Sequence, residues 1–546
     1  MKKNITSKHV LVFIIVLQAL LLIWAGTKKR ELFIDEVYSY VLSNSYDFDM
    51  ISNADYMWGE WVNTDDFMEF ITVQPGEEWS LEKVYYNNTT DCHPPLYYWI
   101  LHSVCSFFPN QFNFWFGLAI NLILYILNIL FLYFVTNEIF YDSKYRYAFL
   151  IMYGCSPVAI DDYLFIRMYM LITLFVSIFI YIQCIIINKG ICLPLSAATW
   201  GILYLGAMTH YYFTVFAFWA VLIFILLELI RDKRITRNLI YYSVGSLLSV
   251  LLMLLSYPAA IIQATGSSTN RVGSEVMGNI FNFKLWAKAV YYLGSELLKS
   301  IYYSDNMSLV VTGIILLLII YKLFSKDKQR ILKGLEKKKK SVADIRIWLI
   351  CSFIFSFFSI SFIGGSFAYL RYLYHIIPIY FMIGLMLLET IESSFPRFTK
   401  TIIMVSVLIT ISGLVRGIWT ESLYGLHKQE FLDDCLLRKY NNNSLIVITP
   451  KDKEIPTGNL IKFSLFNNVY MDTESNIFQA DVINKTLEED KECIIFIDTD
   501  EYWTDGYKED NVLKEIQKNR SNNNAYSIEY LCSGHLGKYY VINLSS

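Results

Sequence analysis

Two acids stand side by side at Asp35 and Glu36, in the stretch Leu-Phe-Ile-Asp-Glu-Val-Tyr-Ser-Tyr that begins at Leu32. They open a long polar segment directly after the first apolar run of membrane length, close to where a bilayer surface should be. A carboxylate so near hydrocarbon is costly unless it is paired or at work on a substrate. The work open to it is taking a proton from a hydroxyl. The plainer reading is a helix N-terminal pair that meets the positive end of the helix dipole and marks the end of the membrane. Further along come Asp91-Cys-His93-Pro-Pro-Leu-Tyr97-Tyr98, Asp161-Asp162, Arg167-Met-Tyr169, His210-Tyr211-Tyr212 and Tyr369-Leu-Arg371-Tyr372. These pieces bring acids, imidazoles, guanidiniums and phenols to the ends of apolar runs. A guanidinium binds phosphate oxygens two at a time, although arginine at the end of a span also snorkels.

The elements that must hold these groups are apolar. Of 546 residues, 55% are hydrophobic and only 17% charged, against about 25% charged in soluble domains. Mean hydropathy is +0.38. Runs of about 18 or more apolar residues identify a polytopic helical membrane protein. They fall near 9–25, 114–135, 147–164, 168–187, 194–209, 212–230, 239–262, 307–325, 347–364, 372–390 and 399–417. That makes about eleven transmembrane helices. The first run follows Lys2, Lys3 and Lys8 and could also be a signal peptide, with Ala25-Gly26 as a weak cleavage point. The 41 Tyr and 38 Phe fit interfacial aromatic belts, the reading favoured for Tyr97, Tyr98, Tyr169 and Tyr211. A net charge of −3 with no basic domain gives no reason to expect a nucleic-acid partner. Nine cysteines without a Cys-x-x-Cys pair point to neither a zinc site nor a disulfide framework.

Basic residues orient the chain. Lys144/Arg146, Arg231–Arg237, Lys326–Arg346 with its run Lys337–Lys340, and Arg397/Lys400 all fall on the cytoplasmic side if the N-terminus is inside. Lys28-Lys29-Arg30 runs against that bias and is outweighed. The acids, histidines and tyrosine-flanked arginines then collect on the outer face, where an outer cavity is the simplest unifying expectation. The first external loop covers about 27–113. Within it, Leu96–Phe108 is too short to span and reads as an interfacial or re-entrant helix started by Pro94-Pro95. After Arg416 the composition turns polar, with β-rich runs at Ser444–Thr449, Cys493–Asp498, Tyr526–Leu531 and Lys538–Asn543 and a helical pattern at about Asn511–Lys518. The expectation is a membrane domain over 1–420 and a small extracytoplasmic α/β domain over 421–546. The second domain carries no glycine-rich phosphate loop and no nucleophile motif, and reads as a packing or acceptor-docking domain.

Asp35-Glu36, His93-Pro-Pro-Leu-Tyr-Tyr98, Ser156-Pro157 followed by Arg167-Met-Tyr169, Thr209-His-Tyr211, and Arg371-Tyr-Leu373 with Pro378 together resemble the GT-C superfamily of integral-membrane glycosyltransferases. The branch it looks most like holds protein O-mannosyltransferases and aminoarabinose-to-lipid-A transferases, of glycosyltransferase family 39 type. The resemblance covers roughly residues 10–420. It implies transfer of a sugar from a polyprenyl-phosphate donor to a glycan, lipid or protein hydroxyl, on the outer face of the plasma membrane and with inversion. It makes Asp35 the general base with Glu36 as its rival, since neighbours on a helix diverge by about 100° and only one can face an acceptor. Arg167 and Arg371 become candidates for the donor phosphate, His93 and His210 for phosphate or sugar, and Tyr97, Tyr169, Tyr211 and Tyr372 for the sugar. Where relatives carry an acidic or polar residue just before Arg-Met-Tyr, Phe165-Ile166 stand here, and Asp161 or Asp162 is a candidate replacement. His93 with Asp91 and Glu36 could hold a divalent ion such as Zn²⁺ or Mn²⁺; the spacing is not diagnostic and no metal is assigned.

Other classes make different demands. A secondary transporter should show two related halves with charges near the midplane, whereas here the charges gather on one face. A flippase or polysaccharide polymerase shares lipid-linked sugar recognition, and a flippase needs no proton acceptor at Asp35.

Overall fold

The computed structural model describes residues 2–46, 57–265, 281–302, 313, 340–364, 369–392, 396–419, 423, 428–449, 455–499, 509–518, 526–534 and 537–544. They fall into two compact units. The first takes in Met1–Lys29, Asp91–Tyr97 and Gly117–Tyr424; the second takes in Arg30–Thr90, Tyr98–Phe116 and Gly425–Ser546.

The first unit is helical. Among the described residues, eight helices are long and apolar enough to cross a membrane: Lys8–Gly26, Trp115–Ile139, Tyr169–Lys189, Tyr211–Asp232, Arg237–Ser256, Ser341–Gly364, Leu370–Thr390 and Pro396–Ile418. Leu193–Ala207 is a shorter apolar helix. The apolar run at 147–164 is not one helix. It divides into Ser143–Gly154 and Pro157–Leu164, because the Ser156 hydroxyl accepts from the Ala159 N–H as an N-cap and Pro157 begins the next helix. The run at 239–262 breaks in the same way at Tyr257-Pro258, leaving Arg237–Ser256 and Ala259–Thr265. Apart from residue 313, the run at 307–325 and the lysine-rich stretch up to residue 339 lie outside the described residues.

Polar contacts lock the bundle where apolar packing alone would not fix register. Trp348 Nε1 donates to Ala220 O at 2.8 Å and Trp219 Nε1 to Ser359 Oγ at 2.8 Å, joining helices Tyr211–Asp232 and Lys340–Gly364. At one end of the unit, Glu389 pairs with Arg346 and accepts the backbone N–H groups of Tyr141 and Asp142 at 3.1 and 3.2 Å. An arginine and two amides thus satisfy a carboxylate that is otherwise expensive to bury.

The second unit is built on a six-stranded sheet. Its strands are β1 (Trp61–Asn63), β2 (Leu445–Thr449), β3 (Asn468–Thr473), β4 (Glu492–Asp498), β5 (Tyr526–Gly534) and β6 (Gly537–Leu544). The order is β1-β3-β2-β4-β6-β5. β2 pairs parallel with β3 and β4, and the remaining pairs are antiparallel. Central parallel strands are covered on both faces, so β2 is buried at every position and reads as an unbroken apolar run. Helices Glu474–Ala480 and Val482–Asp490 make the crossover from β3 to β4. Ile446, Ile448, Ile477, Leu487, Ile495 and Ile516 are among the core. β1 comes from the first polar loop, just over four hundred residues before its partner β3, with Trp61 opposite Tyr470. The loop after the first span therefore groups with the sheet.

Candidate active site

Arg167 sits where helix formation fails. Helix Pro157–Leu164 stops, helix Tyr169–Lys189 starts, and the four residues between them carry the arginine. Its backbone N–H folds back on Phe165 O at 2.7 Å. Asn121, in the facing helix, donates Nδ2 to Tyr163 O at 2.9 Å and to Phe165 O at 3.0 Å. These bonds satisfy carbonyls that a helix end would otherwise leave without partners. Gly117 gives Ile166 its space: a Cβ there would lie 2.2 Å from an Ile166 methyl.

Against this bend lies the turn Asp91-Cys92-His93. His93 Nδ1 is 2.8 Å from Asp91 Oδ2, 3.2 Å from Cys92 Sγ and 3.4 Å from an Arg167 guanidinium nitrogen. The short contact to the carboxylate fixes the proton of His93 on Nδ1 and orients the ring. Burial works to raise the Asp91 carboxyl pKa. The His93 ring and the Arg167 charge outweigh it and hold the group below its ordinary range, so it is ionised at neutral pH.

His210 completes the group. Its Nδ1 accepts the Tyr212 N–H at 3.0 Å, capping helix Tyr211–Asp232, which leaves its proton on Nε2. Its ring centre is 5.4 Å from that of His93 and 5.6 Å from that of Tyr169. Burial, then His93, His375 and Arg167, hold its pKa well below the usual imidazole value, so it is a neutral donor at pH 7.

A buried guanidinium beside an imidazole that keeps its proton on Nε2, as His210 does, is a receptor for anionic oxygens. Asp91, Cys92 and His93 also offer ligand atoms within 4.8 Å of one another. A carboxylate, a thiolate and an imidazole suit Zn²⁺, but the near imidazole nitrogen is already engaged by Asp91 and lies beside Arg167. A cation placed there would face a fixed positive charge, so the arrangement fits an anion better than a resident metal.

The other expected residues divide. Tyr169 stacks on Phe165 with ring centres 5.8 Å apart and belongs to the cluster. Arg371 lies over the Tyr369 ring at 4.4 Å, with Phe165 and Tyr372 at 5.7 and 5.8 Å. Tyr372 packs on Tyr212 at 5.0 Å. Tyr211 donates its hydroxyl to Gln263, and Tyr97 is fully buried. Asp162 is buried and accepts from the Thr173 hydroxyl at 3.0 Å, bridging the two helices on either side of the bend. Asp161 is half-buried beside it.

Asp35 and Glu36 belong to the second unit, at the start of helix Ile34–Asn44. The two acids are not equivalent. Glu36 is buried and its carboxylate accepts the Phe33 N–H at 2.7 Å, closing its own helix N-terminus. Asp35 is half-buried one position earlier. The helix is anchored from its far end: Asn44 donates to Ile71 O at 2.9 Å, Asn87 to Ser45 O at 3.0 Å, and Tyr40 to Asn113 O at 3.1 Å.

No protein-family profile matches the chain, and no curated protein matches it. Among solved structures, it is similar to ArnT from Cupriavidus metallidurans bound to undecaprenyl phosphate, at 11% identity and a TM-score of 0.46, covering 98% of each chain. It is also similar to the archaeal oligosaccharyltransferase AglB from Archaeoglobus fulgidus in complex with an inhibitory peptide and a dolichol-phosphate. That match has 13% identity and a TM-score of 0.43, and covers 90% of this chain and 70% of the other. Likeness at this level assigns no residue roles.

The supporting residues Asn121, Gly117, Tyr257, Gln263 and His375 were not legible as site residues in the sequence. Asn121 had a signal, as an amide inside an apolar span. His375 had one too, as a histidine four residues beyond Arg371.

Proposed function

We propose that the chain is a membrane glycosyltransferase that moves a sugar from a polyprenyl-phosphate donor to an acceptor hydroxyl on the outer side of the membrane. The observation that carries this reading is the part-buried contact of Arg167 with His93, with Asp91 and His210 beside it, at a helix break just before the membrane-length helix Tyr169–Lys189. A donor with a long lipid tail and a phosphate head needs an anion receptor at the end of apolar helices. ArnT bound to undecaprenyl phosphate and AglB in complex with a dolichol-phosphate are in keeping with it.

In this reading Arg167 binds the phosphate oxygens, His93 stands beside it with its ring oriented by Asp91, and His210 Nε2–H donates to a phosphate or sugar oxygen. The acceptor oxygen forms a bond to the anomeric carbon as the bond from that carbon to the phosphate oxygen breaks, which inverts the centre. Charge passes to the carrier phosphate, which leaves as an anion and needs cationic partners rather than a general acid. The acceptor proton goes to a carboxylate. By its resemblance to the first-loop acid of the GT-C enzymes, that carboxylate is Asp35; Glu36 already serves its helix.

The test is incubation of the purified full-length protein with a panel of polyprenyl-phosphate sugars and acceptors, reading release of polyprenyl phosphate by mass spectrometry. Release that depends on both acceptor and Asp35 is the expected result. Binding without release would favour a flippase, and absence of binding across the panel would contradict the reading.

A further inference from the structure

We propose that Gln263 is a positioning residue that sets the anion-binding turn Asp91–His93 from outside it. The proposal rests on the reading above, that this turn meets the donor phosphate.

Gln263 lies in the short helix Ala259–Thr265, just beyond the break at Tyr257-Pro258, and is buried. Its Nε2 donates to Asp91 O at 2.7 Å and to Tyr257 Oη at 3.0 Å. Its Oε1 accepts from the Tyr211 hydroxyl. Tyr257 in turn donates to His93 O at 3.3 Å. One amide side chain therefore reaches the first carbonyl of the turn directly and the last through a tyrosine, while Tyr211 fixes which way round the amide lies. An amide has two N–H donors and one carbonyl acceptor, and this site uses both functions.

The tripeptide needs such support. Two prolines follow His93 and restrict its backbone away from helix, and the carbonyls at the two ends of the turn accept from side chains, Gln263 and Tyr257. Without the amide, Asp91 and His93 keep their mutual contact but lose what fixes them against Arg167. Sub-ångström placement governs how well a charged cluster receives a phosphate. The Tyr211 hydroxyl is committed to this brace.

The experiment compares wild type with Gln263→Leu, Gln263→Glu and Tyr257→Phe in purified full-length protein. Two quantities are read on each: affinity for a polyprenyl phosphate, and the rate at which a small alkylating reagent labels Cys92, resolved by peptide mass spectrometry. Cys92 is half-buried on the turn itself and reports its order without any ligand. Gln263→Leu should raise Cys92 labelling several-fold and weaken carrier affinity about tenfold, which is about 1.4 kcal/mol, with kcat at saturating donor changed less than KM. Gln263→Glu keeps the acceptor for Tyr211 and loses both donated bonds, so it should resemble Gln263→Leu. Tyr257→Phe should give a smaller effect that does not add to that of Gln263→Leu. Unchanged Cys92 labelling in Gln263→Leu overturns the brace. Raised labelling with unchanged affinity and KM overturns the positioning role. Wild type that fails to bind any polyprenyl phosphate overturns the functional reading itself, and the labelling result then still decides whether the brace exists.

Discussion

Asp91 Oδ2 stands 2.8 Å from His93 Nδ1, and that contact holds the imidazole beside Arg167. The carboxylate accepts from Nδ1–H and sets the orientation of the ring. Asp91→Asn keeps a hydrogen-bonding side chain but removes the charge that holds His93 beside Arg167. Donor KM should rise about tenfold or more, the scale of one charge-assisted hydrogen bond, with kcat less affected. Equal loss in both constants would place Asp91 in the chemical step instead.

Arg167 and a lysine in its place make different demands on a phosphate. A guanidinium offers a planar fork; an ammonium is a point charge. Arg167→Lys should weaken carrier binding about tenfold and Arg167→Ala by about another tenfold, as each step removes roughly 1.4 kcal/mol of charge-assisted bonding. Isothermal titration or native mass spectrometry on the purified protein reads both. Full affinity in Arg167→Lys would mean that charge alone is used.

Asp35 and Glu36 should separate on substitution. Asp35→Asn is expected to keep folding and membrane insertion and to lose sugar transfer by at least a hundredfold, with carrier binding unchanged. Glu36→Ala removes the acceptor of the Phe33 N–H and should cost about 1 kcal/mol of stability, with transfer per folded molecule largely kept. The reverse pattern would exchange the roles of the two acids.

His102 makes the second unit sensitive to acid. Burial holds its pKa below the ordinary imidazole value, and its Nε2 accepts the Ser80 N–H at 3.1 Å. Between the folded value and about 6.5 in the unfolded chain, the unfolded state binds more protons. Stability is therefore fully present above about pH 6.5 and falls as pH drops below it. Limited proteolysis of the 57–116 segment should speed up between pH 7.5 and 5.5. His102→Gln should flatten that dependence, and an unchanged slope in the variant would remove His102 as its source.

Much of the fold was legible. Long apolar runs gave the membrane helices, and the four β-rich runs near the C-terminus coincide with β2, β4, β5 and β6. β3 was hidden because Asn-Val-Tyr-Met-Asp-Thr has no clear alternation and is bounded by polar residues at both ends. β1 was beyond reach because its pairing with β3 joins segments far apart in the chain, which no local pattern encodes. At the site, His93, Arg167, Tyr169 and His210 were named from residue type and position at span ends, and the structure brings them together. Arg167 falls in the gap between the runs 147–164 and 168–187, whereas the break at Ser156-Pro157 is hidden because hydropathy averages over it. A serine before a proline inside an apolar run was the available signal. Gln263 had none: its importance lies in reaching two carbonyls of a distant turn, a three-dimensional fact.

The proposed role of the Asp91–His93–Arg167 cluster is to receive the phosphate of a lipid carrier. Its most direct test is the affinity of the purified full-length protein, in lipid nanodiscs, for a polyprenyl phosphate, compared with His93→Ala, Arg167→Ala and the double variant. The account predicts tight binding by wild type, a loss of about tenfold or more in each single variant, and a double variant no weaker than the product of the two. Equal affinity in all four proteins would contradict it.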